Sequence, residues 1–357
     1  MRTPFSSVLF VIVILVSSTL ASTNLSISNS GSVAAPLVGK WFDYVVVIMM
    51  ENHSINNTYG ISVLPNSWNS NSKTCLGNCT FFDSLANSNA LAEGYTDGHI
   101  MGASLGDYIG ITSGYNKTAQ GCNSNPPGSS GCALLQIPNI VDRLETARLS
   151  WKAYMEGYPI SSGCYNNDVG NPNNYAFSHN PFIFYADIQT NATRCSHIVN
   201  ANSQTLSQAG CWPSAIPNDN LFLNDLSSPS TASNYMFLTP NTVDDVHDCN
   251  DISLGNKWLD EMVPQILNSN LFKTKRAALF VTFDEDSCSF SGCPSTPQQI
   301  YAVWASNSSN PTTRVGYKSA ISYTHFNALR TVEDNWNLPP FIASTDVSAS
   351  NMQEFFR

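Results

Sequence analysis

Two polar segments each follow an apolar, β-branched run, 41–50 and 277–283, and carry residue types suited to hard metal ions. Glu51 and Asn52 come directly after the first run. Asp284 and Glu285 come directly after the second run, 277–283. Side-chain oxygens of these types bind divalent cations. Either pair alone is explained as well by helix capping, which such residues often perform. The two pairs together, each behind an apolar run, favour a metal site.

Strands that alternate with helices are expected to position these pairs. Apolar, β-branched runs without polar alternation are typical of strands buried on both faces of a sheet. The predicted strands cover 41–50, 235–238, 277–283 and 300–304, and the predicted helices cover 140–149, 255–267 and 325–336. This alternation predicts an α/β fold, a three-layer α/β/α sandwich with a largely parallel central sheet. Ligands of such sheets bind beyond the carboxyl ends of the strands, where both polar pairs should lie.

Hydrolysis of a phosphate ester is chemistry that such a site supports. The reaction needs a nucleophile in line with the leaving group, positive charge near the non-bridging oxygens and a proton donor for the departing oxygen. A divalent cation supplies the charge and lowers the pKa of the nucleophile.

A series of segments carries a resemblance to one family. In order along the chain they are V-V-V-I-M-M-E-N-H-S at 45–54, S-L-G-D-Y-I-G-I-T-S-G at 104–114, W-K-A-Y-M-E-G at 151–157, H-N-P-F at 179–182, N-T-V-D-D-V-H-D at 241–248, D-E at 284–285, and Y-T-H with L-R-T-V-E within 323–333. Together they resemble the phosphoesterase family of bacterial phospholipases C and acid phosphatases, within the alkaline phosphatase-like superfamily. The likeness covers residues 42–341 and implies an alkaline phosphatase-like fold.

The resemblance implies a role for individual residues. The metal ligands it implies are Glu51, Asn52, Ser113, Asp284 and Glu285. Ser113 would also be the nucleophile, and its attack on phosphorus would give a phosphoserine intermediate. Thr112 is the rival hydroxyl and otherwise a substrate contact. The expected cofactor is one divalent metal ion, and Ca, Mn, Mg, Fe and Zn all stay open.

Histidines are scarce, six in the whole chain, so their positions are informative. His179 and His247 fall in matched segments and are expected to bind phosphate oxygens or to protonate the leaving group. His325 opens the last predicted helix and is expected to complete the pocket, and His99 is a further substrate-binding candidate. Asp107 stands where the family pattern has asparagine. A carboxylate there repels an anionic substrate unless it is protonated or paired, which suits acidic working conditions.

The N-terminus predicts export. Arg2, an apolar run at 8–16 and small residues at 17–21 form the pattern of a secretory signal peptide over 1–21. An uncleaved anchor is the alternative, although a spanning helix needs about 20 apolar residues. Residues 22–39 are rich in Ser, Asn and Ala and predict a flexible leader. Residues 40–357 predict a single phosphoesterase domain with long loop insertions around 160–230.

Ten cysteines, all beyond the predicted signal, favour disulfides over a zinc ribbon. The pairs that are close in sequence are Cys75 with Cys79, Cys122 with Cys132, and Cys288 with Cys293. The connectivity of the other four stays open from sequence: Cys164, Cys195, Cys211 and Cys249.

Composition excludes a nucleic-acid-binding class. Charged residues make up 12% of the chain and the net charge is −10, so a basic footprint is absent. A surface with few ionisable groups gains little charge in acid, which suits an acidic extracellular habitat. Seven N-x-Ser/Thr sequons are present, at Asn24, Asn52, Asn56, Asn78, Asn116, Asn191 and Asn307. We expect Asn52 to be unglycosylated, because a glycan would not fit in a metal pocket.

Three functions follow from these features. The first is a secreted acid phosphatase that acts on phosphomonoesters. The second is a phospholipase C or other phosphodiesterase, for which loop aromatics could line an apolar mouth: Tyr158, Tyr165, Tyr175, Phe182 and Phe184. The third, of another class, is a secreted binding or cell-surface glycoprotein that has lost catalysis, which would require a broken set of site residues. The expected partner is a phosphate-ester substrate. Contact with a cell surface or lipid, and the oligomeric state, stay open.

Overall fold

The computed structural model describes residues 1, 37–59, 79–98, 100, 103–116, 121–159, 163–203, 219–248, 251–286, 299–341 and 345–357. The strands are β1 (Tyr44–Met50), β2 (Ala90–Ala92), β3 (Trp151–Met155), β4 (Ile198–Asn200), β5 (Tyr235–Thr239), β6 (Ala277–Phe283), β7 (Ala302–Ala305) and β8 (Lys318–Ser319). The helices are α1 (Ile55–Thr58), α2 (Thr80–Ser88), α3 (Ala103–Ser113), α4 (Ile140–Thr146), α5 (Ala186–Gln189), α6 (Ala192–Cys195), α7 (Asn220–Asp225), α8 (Ile252–Leu267), α9 (Asn270–Thr274) and α10 (His325–Asn335). Short 3-10 helices lie at Cys122–Ser124, Phe177–His179, Pro181–Phe184, Thr345–Ser348 and Gln353–Phe355.

All eight of these strands join one sheet in the order β4-β3-β5-β1-β6-β7-β2-β8. The strands from β4 to β6 run parallel, and β7 is antiparallel to both β6 and β2. Helix α3 packs against α10, and α2 packs against α8. The predicted α/β class and largely parallel sheet are confirmed.

The best predicted strands are the central ones. β1 and β6 are neighbours and are buried along almost their whole length, so a continuous apolar run is what their environment selects. The predicted helices at 140–149, 255–267 and 325–336 correspond to α4, α8 and α10. α8 begins earlier than predicted because the side chain of Asp251 caps it by accepting the backbone N–H of Ser253.

The register of β1 and β6 brings the two polar pairs together. Met50 lies opposite Phe283, so Glu51 and Asp284 leave the same edge of the sheet side by side. The backbone N–H of Asp284 donates to the carbonyl of Met50 at 3.0 Å. The N–H of Glu51 donates to the carbonyl of Asp245, which follows β5, at 3.0 Å. Three neighbouring strands therefore deliver acidic residues to one edge.

Two disulfides lie within the described residues. Cys122–Cys132 confirms one predicted pair, and Cys164–Cys195 settles a pairing that sequence left open. Cys79 is also disulfide-bonded. Its predicted partner Cys75, the predicted pair Cys288 and Cys293, and the predicted signal peptide and leader lie outside the described residues. None of the described helices is both long and apolar enough to cross a membrane.

Candidate active site

The acidic centre of the site is formed by Glu51 and Asp284 at the sheet edge. Both side chains are fully buried. Asn52 adopts a left-handed backbone conformation, with φ of 57°, and its N–H donates to Oδ1 of Asp284 at 2.9 Å. Its side-chain amide lies 3.3 Å from Oε2 of Glu51. The turn after β1 thus contacts both carboxylates, and Glu285 follows Asp284 in the chain.

The first turn of α3 brings a hydroxyl to these carboxylates. Ser104, the second residue of the helix, donates to Oε2 of Glu51 at 3.2 Å and also hydrogen-bonds the carboxyl of Glu285. The amides of a first helical turn have no intrahelical partner, and the helix dipole places partial positive charge there. A phosphate group is favoured at such a position. Ser104 therefore stands where an anion and a cation could both be held.

Two histidines lie on the other side of Glu51. Nε2 of His179 is 3.3 Å from Oε1 of Glu51, and Nδ1 of His179 contacts Oδ2 of Asp245 at 3.0 Å. The ring of His247 lies 5.2 Å from that of His179, and Nδ1 of His247 contacts Oδ1 of Asp248 at 2.8 Å. Ligand atoms of Glu51, His179 and His247 all lie within 4.8 Å of one another. This trio is able to hold a metal ion.

His325 supports the end of β6 from within the core. Its Nε2 is 2.6 Å from the backbone carbonyl of Asp284, which can only accept, so Nε2 carries the proton. Its Nδ1 then accepts from the hydroxyl of Tyr95 at 3.0 Å. Burial lowers the pKa of His325 to about 4, in keeping with a neutral ring. Nε2 also lies 3.7 Å from Oδ1 of Asp107, one helical turn after Ser104.

Burial and mutual repulsion dominate the electrostatics. Desolvation raises the pKa of Glu51 well above its ordinary range, and the charges of Asp284 and Asp245 raise it further. Desolvation, with the charges of Glu285 and Asp284, does the same to the pKa of Asp107. The pKa of Glu285 rises to about 9, first through burial and then through Asp284. So many carboxyls in one buried space call for a cation.

The pKa of His247 is raised as well, to about 9. Its hydrogen bond to the carboxylate of Asp248 is the largest cause, and the charge of Asp245 adds to it.

Unsatisfied oxygen atoms are the observation that fits a bound metal. Oε1 of Glu51, Oδ1 of Asp107 and Oδ2 of Asp284 are buried and have no hydrogen-bond partner among the described residues. Leaving such atoms unpaired costs about 1–3 kcal/mol each, and more when they are charged. Among the described residues, the basic side chains that contact Glu51 and Asp107 are the histidines His179 and His325, and the ring of His325 is neutral. The donor set is that of a divalent cation site.

Two predicted residues stay away from this centre. Ser113 ends α3, about 13 Å along the helix from Ser104 at 1.5 Å per residue, and its hydroxyl donates to the carbonyl of Ile109 at 2.8 Å. Thr112 donates to the carbonyl of Tyr108 at 2.7 Å and lies 2.7 Å from the hydroxyl of Tyr185. The structure does not bring either hydroxyl to the carboxylates. His99 lies outside the described residues.

Ser104 is the functional candidate that the sequence reasoning passed over. Ser104, Asp107 and Tyr108 are spaced i, i+3, i+4, so they share one face of a helix. That face turns to the site, since Tyr108 stacks on His179 with ring centroids 5.6 Å apart and planes 4° apart. This i, i+3, i+4 spacing is visible in the sequence. It indicates a shared helix face only when the residue at which the helix begins is known.

The sequence profile of the Phosphoesterase family matches residues 77–339. The chain belongs to this family. The resemblance drawn from its motifs is thereby confirmed.

An acid phosphatase of Aspergillus fumigatus is 30% identical over 206 residues, covering 57% of this chain and 40% of that protein. A phosphate-repressible acid phosphatase of Penicillium chrysogenum is 28% identical over 214 residues, covering 58% and 45%. The match thus spans less than half the length of these two relatives.

A solved structure supports the fold. A protein of the alkaline phosphatase superfamily from Vibrio parahaemolyticus superposes with a TM-score of 0.57, covering 90% of this chain and 72% of that one, at 11% identity. At this identity the likeness concerns the fold alone.

Proposed function

We propose that this protein is a secreted, metal-dependent acid phosphatase that hydrolyses phosphomonoesters with Ser104 as its nucleophile. The observation that carries the proposal is the position of the Ser104 hydroxyl. It lies at the start of α3, 3.2 Å from Oε2 of Glu51 and hydrogen-bonded to Glu285, at the edge where the central strands end. A hydroxyl at a helix N-terminus, beside metal-binding carboxylates, is suited to attack a bound phosphate.

The residues that would hold the cation are those with oxygen atoms around this hydroxyl. They are Glu51, Asn52, Ser104, Asp284 and Glu285. A divalent cation bound there would supply positive charge to the non-bridging oxygens and lower the pKa of the hydroxyl. The buried, unpaired oxygens of Glu51 and Asp284 support this assignment.

The reaction then proceeds in two displacements at phosphorus. A bond forms from Oγ of Ser104 to phosphorus, the bond to the leaving oxygen breaks, and the proton of Ser104 passes to water. His247, with a side chain 40% exposed, faces the solvent side of the site and delivers a proton to the leaving oxygen. Water then gives a proton to His247 and forms a new bond to phosphorus, the bond to Oγ breaks, Oγ of Ser104 regains a proton and phosphate leaves.

Monoesters are preferred to lipid diesters because, in the part of the chain that the structure describes, four of the five aromatic residues suggested for an apolar mouth are buried. Of the aromatic residues that sequence suggested for one, Tyr158, Tyr175, Phe182 and Phe184 are buried and at most 4% exposed. They pack in the core instead of facing a lipid. The names of the two fungal relatives, both acid phosphatases, agree with this preference.

Export and acid conditions agree with further features. The disulfides Cys122–Cys132 and Cys164–Cys195 suit an oxidising compartment. Burial raises the pKa of Asp219 to about 7 and that of Glu333 to about 9. Both carboxyl groups are buried at lower cost in the protonated form, which acid favours.

The test compares Ser104→Ala with Ser113→Ala on p-nitrophenyl phosphate and p-nitrophenylphosphorylcholine between pH 4 and 7. We expect chelator-sensitive cleavage of the monoester. Ser104→Ala should lower kcat at least about 1,000-fold, as loss of a nucleophile does. Ser113→Ala should stay within about threefold, since its hydroxyl bonds to Ile109, Tyr115 and Tyr185, away from Glu51 and Asp284.

Preference for the choline diester would replace the monoesterase by a phospholipase C. Inactivity of the wild type toward both compounds, after metals are restored, would favour a binding protein. Loss of activity in Ser113→Ala but not in Ser104→Ala would return the nucleophile to Ser113.

A further inference from the structure

We propose that the close packing of Val246 against Gly255 positions His247 for proton transfer to the leaving oxygen. The inference rests on the proposed function, because that function makes His247 the proton donor. Val246 lies between Asp245 and His247 in the chain, and Gly255 is the fourth residue of α8. Both Val246 and Gly255 would act through His247, so they are positioning residues.

The segment 241–248, which carries His247, is anchored at its first residue. The backbone N–H and the side-chain amide of Asn241 donate to Oε2 of Glu156 at 2.9 and 3.0 Å. Oε1 of Glu156 accepts from the indole N–H of Trp258 on α8 at 2.8 Å. These hydrogen bonds tie the start of the segment to the end of β3 and to α8. They do not by themselves fix the direction of the chain at His247.

Val246 turns the chain in a conformation that a β-branched residue rarely adopts. Its φ is 74°, in the left-handed region, and its side chain is buried. Oδ1 of Asp245, before this turn, accepts the N–H of His247, after it, at 2.8 Å. The ring of His247 thereby comes within 5.2 Å of the ring of His179. Such a backbone conformation persists only where the surrounding structure holds it.

Gly255 is the residue of α8 that accommodates the Val246 side chain. A methyl group added at Gly255 would lie 2.8 Å from Cγ1 of Val246 and 2.9 Å from Cε of Met50. The methionine methyl ends a flexible side chain and can move away. The valine side chain is branched at Cβ and stiff, so the backbone at Val246 would have to shift. Alanine is the better helix former, and this close approach explains why glycine stands here instead.

Two phosphomonoesters that differ in their need for a proton test the proposal. Phenyl phosphate releases a strongly basic phenolate and depends on the proton of His247, whereas p-nitrophenolate leaves without one. Gly255→Ala should lower kcat/KM for phenyl phosphate at least about tenfold, because a displaced donor loses part of the benefit of proton donation. For p-nitrophenyl phosphate kcat/KM should stay within about threefold of the wild type. His247→Gln should show the same selective loss.

A second substitution separates positioning from general damage to the fold. Val246→Ala removes the Cγ1 atom that the added methyl group would meet. Combined with Gly255→Ala, it should restore kcat/KM for phenyl phosphate to within about fivefold of the wild type. Val246→Gly removes the contact and frees the backbone, so it should lose activity toward phenyl phosphate selectively. Lys257→Ala, on the exposed side of α8, is the matched control and should behave as the wild type.

The outcomes separate the contact from the proposed function. Equal losses on both phosphates in Gly255→Ala and Val246→Gly, or no loss on phenyl phosphate, would overturn the positioning role. Failure of the combined substitution to restore activity would overturn it as well. A wild type that cleaves neither phosphate, or a His247→Gln variant without selective loss, would instead refute the proposed function and this inference with it.

Discussion

Glu333 lies fully buried on α10, and the carboxyl of Asp346 is its neighbour from the 3-10 helix at Thr345–Ser348. Burial is the main reason that the pKa of Glu333 rises to about 9, and Asp346 and Asp334 raise it further while Arg330 opposes them. Because the folded pKa exceeds the unfolded one, the contribution of Glu333 to stability is fully present below about pH 4.3. It is lost as the pH rises toward 9.

The magnitude follows from this shift. At pH 7 the unfolded chain has an ionised Glu333, and keeping it protonated in the folded chain against a pKa of about 9 costs about 3 kcal/mol. Glu333→Gln keeps the shape of the side chain and removes the proton uptake. We therefore expect Glu333→Gln to raise the free energy of unfolding by up to about 3 kcal/mol at pH 7 and to change it little at pH 4.

Urea unfolding of the metal-free protein at half-unit steps from pH 4 to 8 measures this difference. Glu261→Gln, which changes an exposed glutamate of α8, is the matched control and should follow the wild type at every pH. Plots of unfolding free energy against pH that run parallel for Glu333→Gln and the wild type would refute the reasoning. So would a variant whose gain in stability over the wild type is smaller at pH 7 than at pH 4.

Three further predictions concern single contacts. Asp107→Asn replaces a buried carboxyl that repels an anionic substrate only once it ionises, so KM for the monoester in steady-state kinetics should stay unchanged in acid and fall, relative to the wild type, as the pH rises; a lower KM for the variant in acid contradicts this. Tyr95→Phe removes the donor to His325 and should cost about 1–2 kcal/mol in unfolding experiments and reduce kcat, whereas an unchanged kcat would separate His325 from catalysis. Replacing Cys164 and Cys195 by Ser opens a loop with a sequence separation of 31 and should cost about 3–4 kcal/mol, so a loss below about 1 kcal/mol would contradict the expected role.

Much of the fold was predictable because the central strands are buried on both faces. β1 and β6 are continuous apolar runs in the sequence, which predicts buried strands. The polar residues directly after these runs are thereby predicted to lie at the strand ends. The shorter strands β2, β4 and β8 have two or three residues each, too few for a pattern. They form through pairing with neighbours that are distant in sequence, and propensity alone does not reveal this.

The candidate site was predictable in part for the same reason. Glu51 and Asp284 follow strands and were found with them. Ser104 was missed because its place in the site depends on where α3 begins and how that helix turns toward the sheet. The family resemblance favours Ser113 as the nucleophile. Ser113, however, lies at the end of α3 away from Ser104, and its hydroxyl donates to the carbonyl of Ile109 one turn earlier. The partnership of His179 with Asp245 links residues 66 positions apart, and only the fold brings them together.

The identity of the phosphorylated residue tests the central claim most directly. Enzyme mixed with a phosphomonoester and quenched in acid within milliseconds should carry one phosphate, and fragmentation mass spectrometry can locate it. We predict phosphoserine at Ser104 in the wild type and in Ser113→Ala, and no trapped phosphate in Ser104→Ala. Phosphate on Ser113 or Thr112 would contradict the account.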